Sequence, residues 1–205
     1  MIEAKHSPIH QWLLNGYVKL ILWQSFREIH ITGDVCPDER PLLLLPNHTS
    51  WWDGFFALHL NQVLLRKRFH LMMLESQLSK HMFFSRAGAF SINQRSRDVI
   101  NSLGYASELL SVGENVVVMF PQGQLGSQHQ WQITFRRGVE RVIPSGGRVQ
   151  IILAAFLIDY YSHRLPTLTI ALKEYNGDIV ASSIERAFNE HLQASIMNQD
   201  RLFEV

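Results

Sequence analysis

Short apolar runs alternate with longer stretches of helical spacing along this chain, and that alternation is its strongest constraint on the fold. The runs at 28–32, 42–45, 69–74, 115–120, 150–156 and 168–172 are four to seven residues long and rich in Leu, Ile, Val and Phe. Such short apolar runs, set between longer helical patterns, read as strands. Between and around them, helices are predicted over 9–24, 51–61, 76–85, 97–111, 138–144 and 184–196. The clearest is 97–111, where Val99, Ile100, Leu103, Ala106, Leu109 and Leu110 fall on one helical face. Strands separated by helices imply an α/β fold, a largely parallel or mixed central sheet flanked by helices. At 205 residues the chain suits a single domain. Residues 1–27 read as an N-terminal amphipathic helix and 28–205 as the body of the domain. No internal repeat, low-complexity tract or linker interrupts it.

Composition narrows the classes of function. Forty-six per cent apolar against 18% charged residues is globular, without a disorder signature. A net charge of +1 gives no general reason to expect a nucleic-acid partner. The lone Cys36 rules out an intramolecular disulfide and a cysteine-based zinc site, and fits a reducing compartment. Ten histidines are scattered, with no His-Glu-x-x-His spacing, so most are read as surface or packing residues. No stretch reaches the ~20 apolar residues that span a bilayer. The first residues mix acid and base without a small-residue cleavage site, so no cleaved signal peptide is expected. Trp12, Leu13, Leu14, Tyr17, Leu20, Ile21 and Trp23 recur at nearly helical spacing. The helix they make is either an ordinary core helix or one lying in a membrane interface with Trp at headgroup depth. Arg66-Lys67-Arg68, beside Leu64, Leu65 and Phe69, is either a solvated turn or a contact for anionic headgroups or an acidic carrier protein.

The chemistry concentrates after the second apolar run, in Pro46-Asn47-His48-Thr49-Ser50-Trp51-Trp52-Asp53. An imidazole there, with a carboxylate five positions on, can accept a proton near neutral pH while the carboxylate holds its tautomer. Such a pair suits deprotonation of an alcohol as it attacks an activated acyl group. Asp53 also has a structural reading, since Ser50-Trp51-Trp52-Asp53 matches a helix capping box. A second block, Phe120-Pro121-Gln122-Gly123, ends the run at 115–120 sharply, and its glycine permits close backbone approach to a ligand. A third, Gly88 to Arg95, leads to two arginines, Arg95 and Arg97, either able to bind a phosphate or carboxylate bidentately. A fourth, Phe135-Arg136-Arg137-Gly138, is a basic step into a predicted helix.

Taken in order, the four blocks resemble those of the glycerolipid acyltransferases, the superfamily that contains 1-acyl-glycerol-3-phosphate acyltransferase. The resemblance runs from Asn47 to Phe156, about half the chain. It implies transfer of a fatty acyl group from acyl-CoA or acyl carrier protein to a lysolipid hydroxyl, with no cofactor. His48 would be the general base and Asp53 its partner, while Asn47, Arg95, Arg97, Phe120, Pro121, Gln122, Gly123 and Arg137 would bind substrate. It also implies a cytoplasmic protein, peripheral on the inner face of the cell membrane. The chain departs from the family pattern at Gln122, where an acid is usual, and at Leu125, where an arginine is usual. These departures leave two acceptors open, a lysophosphatidate-like lipid or one without phosphate. Two rival classes follow: a non-catalytic lipid-binding relative, for which Gln122 argues, and a thioesterase using the His-Asp pair or Ser50.

Overall fold

The computed structural model describes residues 1–93 and 98–201. In chain order its elements are α1 (Pro8–Ser25), β1 (Glu28–Thr32), β2 (Leu42–Pro46), α2 (Asp53–Leu60), β3 (Arg68–Leu74), α3 (Glu75–Leu78), α4 (Phe83–Arg86), β4 (Ala89–Ile92), α5 (Val99–Leu109), β5 (Asn115–Val118), β6 (Gln150–Asp159), β7 (Thr167–Tyr175) and α6 (Ala181–Arg201). The strands form one sheet in the order β1-β7-β6-β2-β5-β3-β4, with β2 central. All pairings are parallel except β6 with β7. That exception follows from chain length: residues 160–166 are too few for a crossover, and a short connection joins only antiparallel strands.

Alternate residues of the central strands face two separate cores, as the two-residue repeat of a strand requires. Leu42, Leu44, Val116, Val118, Ile152 and Ala154 point to the side covered by α1 and α2. Leu43, Leu45, Val117, Ile151, Leu153 and Ala155 point to the side covered by α5 and α6. Both faces are therefore buried, which is why these strands read as unbroken apolar runs. The mixed α/β architecture expected from the alternation is the one observed.

Several local expectations need correction. The helix expected over 76–85 is two short helices, α3 and α4, joined by turns at Ser79–His81, because the segment buries only Leu78 and Ser85 and has no continuous apolar face. The helix expected over 138–144 is a single 3-10 turn, Val139–Val142, entered at Gly138 with φ of 120°. β4 lies in the stretch read only as a substrate-binding block; all four of its residues are buried, so no alternation marks it. Beyond α2, Asn61–Leu65 winds as a π-helix that ends at Arg66 in left-handed backbone. Asn61 closes this end by bonding both the N–H and the C=O of Lys67.

α1 is not amphipathic in the expected sense. Leu14, Val18 and Leu22 pack inward, but the outward face is also apolar: Ile9, Trp12, Leu13, Tyr17, Leu20 and Trp23 are exposed, Trp12 by 73% and Trp23 by 76%. Residues 1–7 precede it as a strap along β4, with Ile2 and Ser91 bonded through Ile2 N–H to Ser91 Oγ and Ser91 N–H to Ile2 O. No helix among the described residues is long and apolar enough to cross a membrane.

Candidate active site

The C-terminal ends of β2, β5 and β6 lie at one pole of the sheet, and the residues singled out in the sequence collect there. β2 delivers Asn47 and His48, and its neighbour β5 delivers Phe120 to Gly123. Two blocks more than seventy positions apart are thus side by side because their strands pair, the usual location for functional groups in open α/β sheets.

Asp53 organises the first block. Its side chain is fully buried at the first residue of α2. Oδ2 accepts from His48 Nδ1 at 2.8 Å, from Thr49 N–H at 2.6 Å and from Ser50 N–H at 2.9 Å. Oδ1 accepts from Ser50 Oγ at 2.6 Å, and Ser50 Oγ in turn accepts from Trp52 N–H at 3.2 Å. One carboxylate therefore closes the turn that leads into α2 and holds the imidazole; α2 starts at Asp53 after Trp52, with no side-chain cap, so this turn stands where the capping box was expected. A carboxylate only accepts, so Nδ1 carries the proton and the neutral ring keeps Nε2 bare. The imidazole stacks on Phe120, with ring centroids 4.2 Å apart and planes 19° from parallel, and its side chain stays 26% exposed. Orientation is fixed by the carboxylate and the ring plane by Phe120.

Backbone on both sides of His48 is clamped by the second block. Gln122 Oε1 accepts from His48 N–H at 2.5 Å, and Gly126 N–H donates to His48 O at 2.8 Å. Gln122 is 7% exposed, so the carbonyl, the part of a carboxylate that an amide keeps, holds the base in place. Gly123 turns the chain at a φ of 64°, and its N–H donates to Phe120 O at 3.0 Å.

Not every expected residue lies where substrate would reach it. Asn47 is 3% exposed; its Nδ2 donates to Phe156 O at 2.9 Å and its Oδ1 accepts from Phe156 N–H at 2.7 Å. It is a strut between the ends of β2 and β6, not a ligand-facing group. Arg137 is exposed, and the arginine that meets the second block is its neighbour Arg136. Arg136 Nε donates to Gln122 O and Nη2 to Gln124 Oε1, each at 3.3 Å, and its N–H donates to Pro121 O at 2.8 Å. Arg95 and Arg97 lie outside the described residues. Arg66-Lys67-Arg68 leads into β3, at the pole opposite His48, where Lys67 Nζ donates to Asp38 O and Gly113 O. Among the described residues no three His, Cys, Asp or Glu side chains gather as a metal site would require.

Sequence reasoning named Arg136 only within the fourth block and missed Gly126; the roles of both depend on a loop folding back over His48. It also missed an aromatic surface beside the site. Trp51 is 64% exposed and packs on Phe55 at 4.7 Å, and Phe55 meets Tyr17 of α1 at 6.2 Å. The outward face of α1 thus runs on toward the His48 loop.

Comparison with known proteins completes the description. A family model described as Acyltransferase matches residues 28–155. Among solved structures the fold is similar to the crystal structure of the 1-acyl-sn-glycerophosphate (LPA) acyltransferase PlsC from Thermotoga maritima. The two share 11% sequence identity at a TM-score of 0.63, over 93% of this chain and 79% of that one. No curated protein sequence matches.

Proposed function

The chain belongs to the acyltransferase family, and we propose that it transfers a fatty acyl group from a thioester, acyl-CoA or acyl carrier protein, to a hydroxyl of a lysolipid. The observation that carries this reading is the saturated Asp53 carboxylate, which fixes Nδ1–H of His48 at 2.8 Å and leaves Nε2 as the proton acceptor. The acceptor hydroxyl gives its proton to Nε2 as its oxygen attacks the thioester carbonyl. Collapse of the tetrahedral adduct breaks the carbon–sulfur bond, and the leaving thiolate takes the proton from the imidazolium. Asp53 stabilises that imidazolium. The thioester is already activated, so no acyl-enzyme is required. Ser50 is a poor nucleophile here, because its hydroxyl donates to Asp53 and not to the imidazole.

Both substrates are amphiphiles, and the outward apolar face of α1, continued by Trp51, supports a membrane surface as partner. Trp and Tyr at such positions favour the headgroup region. The basic turn at Arg66–Arg68 lies at the pole opposite His48, with Lys67 and Arg68 beside Gln11 and Asn15 of α1.

The test is thiol release from an acyl thioester in the presence of single-chain lipid acceptors. Acceptor-dependent release is expected, and His48→Ala should lower it by about 100- to 10,000-fold, the usual worth of a general base. Release that ignores the acceptor would replace the acyltransferase with a thioesterase. Absence of release, with tight lysolipid binding, would leave a non-catalytic binder.

A further inference from the structure

The loop between Pro121 and Gly138, which lies against His48, is lined by amides. It carries Gln122, Gln124, Gln128, Gln130 and Gln132, no acidic residue, and three basic ones, His129, Arg136 and Arg137. Gln122 and Gly126 anchor the loop to His48 N–H and C=O, so whatever it holds lies beside the base. Two of the amides converge at Gly126: a Cβ there would stand 2.8 Å from Gln122 Nε2 and 2.7 Å from Gln130 Oε1. Gln124 Oε1 accepts from Arg136, whose Nε donates to Gln122 O. Trp131 follows Gln130 and is 51% exposed.

This chemistry matches one class of headgroup better than another. A phosphate offers only acceptors and calls for cations or clustered N–H donors. A hydroxyl both donates and accepts, and so does a primary amide. Of the loop's two guanidiniums, Arg136 is engaged with Gln122 O and Gln124 Oε1, bracing the loop, and Arg137 is exposed at its far end, next to Gly138. Resting on the acyltransferase reading, we propose that the loop is the headgroup subsite for a neutral, polyhydroxylated lipid. The acceptor would then be a single-chain lipid with a sugar or polyol headgroup. Gln124 and Gln130 bind its hydroxyls, and Trp131 covers the apolar face of the ring.

Three acceptors with one acyl chain separate the possibilities: a glycosylated monoacylglycerol, 1-acylglycerol-3-phosphate and bare monoacylglycerol. The glycosylated lipid should show the highest kcat/KM. Gln130→Ala and Gln124→Ala should each lower the ratio of kcat/KM for the glycosylated over the bare lipid by about tenfold, the usual worth of one hydrogen bond. Both residues are exposed, so the variants keep the fold. Preference for the phosphate lipid, or an unaltered ratio in both variants, overturns the proposal while His48-dependent turnover of any acceptor keeps the acyltransferase. No turnover with any of the three removes both.

Discussion

Replacing Asp53 with Asn would keep its shape but offer one accepting oxygen where the native side chain uses two for four donors. The amide nitrogen must then face an N–H or the Ser50 hydroxyl, and in either case the imidazole loses the carboxylate charge that stabilises its protonated form. Asp53→Asn should lower kcat by at least about 100-fold and stability by about 1–3 kcal/mol, read from acyl transfer and urea unfolding. Native-like turnover would mean that Asp53 only closes the turn before α2. At this scale the sequence was most legible where partners are close in the chain. His48, Asp53 and Ser50 sit within six positions, and their chemistry is visible in their spacing. The bonds between Asn47 and Phe156 cross 109 positions, so nothing local tells a strut from a ligand. Arg136 was confused with Arg137 for a related reason: only the path of the loop decides which of two adjacent guanidiniums turns toward Gln122.

Helix α1 and the strap before it carry two predictions. The outward apolar face is expected to hold the protein on anionic vesicles in a flotation assay, and Trp12→Glu with Trp23→Glu should release it without unfolding, since both side chains are exposed. Persistent flotation would place the lipid contact elsewhere. Beneath the strap, His6 meets His70 edge to face at 4.7 Å, and both His70 nitrogens are buried. Burial holds each ring at a pKa of about 4; His6 beside His70, and Arg68 near both, also disfavour the charged form. The unfolded chain binds these protons from pH 6.5 downward and the folded chain only near 4. Their stabilisation is therefore complete above about 6.5 and fades as pH falls toward 4, by roughly 3 kcal/mol for His70. Urea midpoints at pH 7 and 4.5 should differ less in His70→Phe than in the native chain; equal differences would refute this origin. Among the elements, long periodic helices and apolar strands could be read in advance. Those that escaped, β4 and the π-helical turn, owe their form to neighbours: β4 to β3 and the strap, the turn to Asn61 gripping Lys67.

For the whole molecule, the decisive fact is which ends of the strands share a pole. The alternating pattern implied the layers but not the order of strands, and the order is what sets Phe120 against His48. It also sends the basic turn at 66–68 to the far end, which a linear reading could not know. The same pole receives the hairpin at 160–166, with Tyr160 and Tyr161 exposed, and the end of α1, joined to it by Arg27 N–H donating to Pro166 O at 2.9 Å. Trp12 and Trp23 are eleven residues apart on one side of α1, about 16 Å along the axis, so a helix touching lipid with both lies flat. An enzyme resting this way meets its acceptor in two dimensions. Its velocity would then follow the mole fraction of acceptor in the surface: diluting vesicles with inert lipid at constant bulk acceptor should slow it, while diluting the whole suspension, with the enzyme still bound, should not.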